Sequence, residues 1–123
     1  MERQFAVLGA AFAFLAVALG AFGAHALEGR VEPRDLETYE IGVRYQMYHA
    51  LALLFVALVI GRWEGAPGIW AGWAFVAGIL IFSGSLYALV LTGVRGLGAV
   101  TPIGGAAFLL GWALLLWHLL RSG

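Results

Sequence analysis

Cysteine is absent from the 123 residues, which removes disulfides, thiolate metal sites and cysteine nucleophiles at a stroke. Lysine is absent too: all seven basic residues are arginine, and seven Asp/Glu balance them to a net charge of zero. No basic stripe is available for nucleic acid, and no partner of that class is expected. Charged residues make up only 11% of the chain, against roughly a quarter in a soluble domain. Proline occurs three times. What fills the space is apolar: 63% hydrophobic residues and a mean hydropathy of +0.93. A surface this poor in charge does not face water, so the chain reads as one small membrane domain.

Four stretches carry no Asp, Glu, Lys or Arg: Phe5–Ala26, Tyr45–Gly61, Ala66–Val94 and Gly96–Leu120. A helix needs about 20 apolar residues to cross the hydrocarbon layer. Unpaired backbone groups are excluded from lipid, so the spans are helices. The expected fold is all-α: an up-down bundle of four transmembrane helices, at about residues 5–26, 42–62, 68–92 and 102–121. Residues 32–43 mix Glu32, Asp35, Glu37 and Glu40 with Val31, Leu36, Tyr39 and Ile41. They are expected to form a short amphipathic segment between helices one and two, running or bending into the second span.

Turn chemistry supports these boundaries. Pro33 suits a first helical position after Glu32, with Asp35 in the first turn. Gly65-Ala66-Pro67-Gly68 suits a tight turn, Thr92-Gly93 a helix end, and Thr101-Pro102 an N-cap. Ala24-His25-Ala26 fits a signal-peptide cleavage site, yet the apolar run before it exceeds the usual ~7–15 residues, so a retained span is expected. Three arginines on the terminal side against four opposite leave orientation open.

Aromatic residues sort by depth. All five Trp fall in the half nearest the termini, as interfacial anchors do. All four Tyr fall in the other half, along with His25, Gln46, His49, Ser83, Ser85 and Thr101. Tyr45, Gln46 and His49 lie on one helical stripe. Intramembrane polar groups mark functional sites by default, so His25, Tyr45, Gln46, His49, Ser85 and Tyr87 are the candidate ligand-binding residues. The bland alternative is a structural cluster whose members satisfy one another. Glu40 and Arg44, four apart, are a candidate helical ion pair. His118 lies at the opposite end from these groups.

No catalytic residues are expected. Ser83 or Ser85 with His49 lacks a carboxylate to orient the base, and no Gly-x-Ser-x-Gly pattern occurs. No cofactor or metal is expected either, since His25 and His49 have no ligand-type spacing. Proton-linked transport, as an oligomer, would have to run on histidine, because span one has no carboxylate. Small-residue stripes such as Gly9, Ala13, Ala16, Gly20 and Gly23 suit close helix packing, including a homo-oligomer through Gly/Ala faces. Membrane lipids are the remaining expected partner.

Four strings occur together: Gly20-Ala21-Phe22-Gly23-Ala24-His25-Ala26-Leu27, Tyr45-Gln46-Met47-Tyr48-His49-Ala50-Leu51-Ala52, Phe82-Ser83-Gly84-Ser85-Leu86-Tyr87 and Thr101-Pro102-Ile103-Gly104-Gly105. On these the chain resembles the YgdD-like family of small integral membrane proteins, which includes the eukaryotic transmembrane protein 256. That resemblance implies a four-span protein, in bacteria of the inner membrane, and carries no established activity.

Overall fold

The computed structural model describes residues 1–122. Four helices are long and apolar enough to cross a membrane: α1 (Glu2–Leu27), α2 (Pro33–Arg62), α3 (Ala66–Thr92) and α4 (Arg95–Ser122). The connections are short, so successive helices run antiparallel. One end of the bundle carries the α2–α3 turn. The other carries the α1–α2 and α3–α4 connections.

The segment 32–43 is not a separate element. It forms the first turns of α2, which is helical without interruption from Pro33 to Arg62. Pro33 occupies the first turn, where a missing N–H leaves no bond unmade. Gly93 ends α3 in the left-handed conformation (φ 76°) that a side chain would resist, and its N–H closes on the Leu89 carbonyl. Thr101 does not cap a free helix end. A 3-10 turn over Arg95–Ala99 precedes it, and its hydroxyl turns to the Leu97 carbonyl and Ser85 instead.

The helices do not contribute equally. α2 and α3 form the buried centre; α1 packs chiefly on α2, and α4 chiefly on α3. The main core joins Phe5, Leu53, Val56, Ile60, Ala71, Phe75, Ile79 and Phe108. A smaller cluster of Leu27, Tyr39, Leu89 and Val90 closes the end away from the α2–α3 turn.

The glycines are consumed inside this array. A Cβ on Gly9 would meet the Ala50 carbonyl oxygen at 2.8 Å and Leu54 at 3.0 Å, and one on Gly72 would enter the Phe5 ring. Gly78 and Gly111 receive Phe108 and Phe75 in the same way. The chain's own helices thus occupy most of the small-residue faces.

Candidate functional site

Five of the six expected site residues lie along the contact between α2, α3 and α4; the sixth does not join them. His25 is exposed on a π-helical turn, Gly23–Leu27, at the end of α1. The wide turn carries the ring to the outside, so the convergence expected of it is corrected.

Gln46 is buried and joins three helices. Its amide nitrogen donates to the Phe12 carbonyl at 2.8 Å, and its oxygen accepts the Tyr87 hydroxyl at 2.7 Å. Two turns away, Tyr39 donates to the Leu19 carbonyl at 2.6 Å, and its ring lies 5.2 Å from that of Tyr87. A second π-helical turn, Ile79–Ser83, sits in α3. At its end Ser83 donates to the Gly42 carbonyl at 2.7 Å. Ser85 donates to the Phe82 carbonyl and contacts Thr101 Oγ1 at 2.6 Å, tying α3 to α4.

His49 sits deepest. Its ring stacks on Phe108 with centroids 3.6 Å apart and planes 8° from parallel. Nδ1–H donates to the Tyr45 carbonyl at 2.8 Å, and Nε2 accepts from the Trp112 indole N–H at 3.1 Å. A carbonyl only accepts and an indole only donates, so these partners fix the neutral Nδ1–H tautomer. Both nitrogens are occupied, so taking up a proton means breaking the Trp112 bond. Trp112 itself corrects the sorting by depth: it is no interfacial anchor but the fourth-helix partner of His49. Trp63 and Trp117 keep the anchoring role, each beneath an arginine, Arg62 and Arg121, 5.2 Å from the ring centre.

The expected Glu40–Arg44 pair does not form. Both side chains are exposed, and among the described residues the ion pairs are Arg95–Asp35 and a 4.0 Å contact between Arg34 and Glu32. The i,i+4 spacing brings the two within reach but does not oblige them to meet, and each side chain extends outwards instead. The stronger pair is long-range: Arg95 grips Asp35 with two N–H···O bonds, 2.8 and 3.0 Å, at the end of the bundle. That guanidinium holds the Asp35 carboxyl below its usual range. Because the folded value is the depressed one, the stability this pair supplies is full above about pH 4 and is lost as pH falls below it. Melting temperatures of wild type and Asp35→Asn should therefore differ at neutral pH and converge in acid.

His118 is the buried polar group that the sequence did not assign a role. Its Nδ1 accepts from the Gly68 N–H at 3.2 Å, and Nε2–H donates to the Trp63 carbonyl at 2.8 Å. It fastens both sides of the α2–α3 turn to α4. The signal was present: Gly104, Phe108, Gly111, Leu115 and His118 share one inward stripe.

Every fully buried side-chain nitrogen and oxygen among the described residues has a partner. Beside this cluster a groove of about 500 Å³ stays open between α2 and α4, lined by Tyr45, Tyr48, Phe82, Phe108, Leu109 and Trp112, with His49 and Gly105 also on its wall. Tyr45 and Tyr48 are exposed and, among the described residues, make no side-chain hydrogen bond within the protein.

The profile described as "Protein of unknown function (DUF423)" matches residues 19–105. UPF0382 membrane protein YwdK of Bacillus subtilis is 49% identical over 114 residues, covering 92% of this chain and 93% of the relative. UPF0382 membrane protein SERP0230 of Staphylococcus epidermidis is 50% identical over 113 residues, 92% of each. UPF0382 membrane protein SAB0533 of Staphylococcus aureus is 49% identical over 114 residues, 93% of each. No solved structure matches the chain.

Proposed function

The chain belongs to the DUF423 family of unknown function, and on that premise we propose that it is a non-enzymatic membrane protein that binds a membrane-soluble, ring-bearing ligand of the quinone type. The observation that supports this is the open groove between α2 and α4. Its walls are aromatic, and its free polar groups are two phenol hydroxyls. A flat ring stacks on such walls, and a ring carbonyl accepts from Tyr45 or Tyr48. The rest of the polar cluster is hydrogen-bonded to itself and offers a ligand nothing. That saturation supports binding over catalysis: His49, the only buried base beside the groove, is held neutral between Tyr45 and Trp112. The all-helical spans suit a bacterial inner membrane, since outer-membrane spans are barrels.

Gly105 gives a direct test. A Cβ there meets nothing within 4 Å, so Gly105→Leu fills the groove without disturbing the helices. Native mass spectrometry with decylubiquinone in nanodiscs should show a bound adduct on wild type. The variant should lose it at least about tenfold, with an unchanged melting temperature. Equal adducts on both proteins, or none on wild type, would sink the reading.

A further inference from the structure

Glu40 and Arg44 sit in an unusual place for charged groups. Gly20 of α1 packs beside Val43, and Ser83 of α3 bonds to Gly42, so these levels coincide. Beyond them α1 stays free of charge to Leu27 and α3 to Val94, roughly another 10 Å of helix on either side. Glu40 and Arg44 are therefore inside the apolar band of their neighbours. Intramembrane charges almost always face the bundle interior or pair. These two face outwards and have no ion partner among the described residues.

They also begin a continuous stripe. Arg44, Tyr48, Leu51, Phe55 and Leu58 are all exposed and recur at spacings of four and three, the seam of a helix that packs against another helix. The stripe lies on the outer side of α2, away from Gln46 and His49.

We propose that this face of α2 packs against the same face of a second copy of the chain, with each Arg44 paired to its partner's Glu40. A two-fold axis along the membrane normal brings equal depths together, and the contact uses the same patch on both copies. Helical side chains lean towards their own N-terminus, so Arg44 reaches towards the level of Glu40. Across that axis like residues stand level, so the pairing is diagonal: each Arg44 reaches one turn along to the partner's Glu40, and the two contacts are equivalent. The surface adjoins the groove at Tyr48, but Gly105 lies on the α4 wall and outside the stripe, so Gly105→Leu leaves the stripe intact and the two readings fail separately.

The absence of native cysteine makes the test clean. Leu51→Cys and, as a control on the lipid side of α1, Phe14→Cys (74% exposed) are expressed separately in native membranes. Copper phenanthroline or a short bis-maleimide is then added. Leu51→Cys should give covalent dimers and Phe14→Cys should not. In the Leu51→Cys background, Glu40→Arg should cut dimer yield about fivefold. Adding Arg44→Glu should restore it, which also shows that the reversed chain folds. Crosslinking of Leu51→Cys no greater than the control means that lipid alone covers the face and overturns the proposal. So does a yield that ignores charge reversal, or a double variant that fails to recover.

Discussion

Replacing Gly104 by alanine should unfold or splay the bundle, whereas the same change at Gly105 should be silent. The two glycines are adjacent in α4 and would gain the same methyl group. At Gly104 the Cβ would run into the Phe82 backbone nitrogen and lie 2.7 Å from its Cα. Backbone cannot rotate aside as a side chain can, so α4 must move off α3. Overpacking of this kind typically costs about 1–3 kcal/mol, and a backbone obstacle puts it at the upper end. The displacement also pulls Thr101 away from Ser85 and Trp112 away from His49. At Gly105 no atom stands within 4 Å. Alanine is the better helix former there by about 1 kcal/mol in water, so Gly105→Ala should be neutral or slightly stabilising. Melting temperatures of the two variants in the same detergent decide the matter. A Gly104→Ala protein as stable as wild type would mean that α3 and α4 are further apart than described.

The second large effect belongs to Gln46. Truncation to alanine removes the donor to Phe12 and the acceptor of Tyr87 together. The Tyr87 hydroxyl is then left without its partner in an apolar surrounding, at a penalty of about 1–3 kcal/mol. Tyr87→Phe removes only the hydroxyl and should be milder. In the double variant the orphan no longer exists, so its loss should be smaller than the sum of the two. A coupling of about 1 kcal/mol is expected, near the upper part of the range for polar contacts in lipid. Strict additivity would show that Gln46 and Tyr87 act independently and that α2 and α3 are not joined through them. Retained folding with Gln46→Glu would be equally informative: that side chain can still accept from Tyr87 but loses the donor to α1.

Much of the architecture was legible because charge is so scarce. Four charge-free runs are hard to read as anything but four helices, and Pro33, Thr92 and Gly93 mark helix ends in the sequence itself. Gln46 and His49 stood out for a similar reason: a polar stripe in an apolar span must meet something. What they meet was not legible. Trp112 looks like any interfacial tryptophan until its indole N–H is seen at His49, since residue type fixes neither depth nor facing. Asp35 stands in the first turn of α2 and Arg95 opens α4, so the two meet only after the α2–α3 hairpin has folded. His25 was misplaced because a π turn shifts the facing that a 3.6-residue period predicts. Neither is the groove a property of any one helix; it is what α2 and α4 leave between them.

The His118 contacts bear on how the protein is made. The turn between α2 and α3 is held by a side chain on α4. During synthesis the first three spans leave the ribosome before that side chain exists. Until α4 inserts, the Gly68 N–H and the Trp63 carbonyl wait for a partner, and the middle hairpin is a provisional structure. The last helix to arrive is thus the latch on a turn made one span earlier. A chain stalled before α4 would offer membrane quality control an open hairpin rather than a smaller finished bundle.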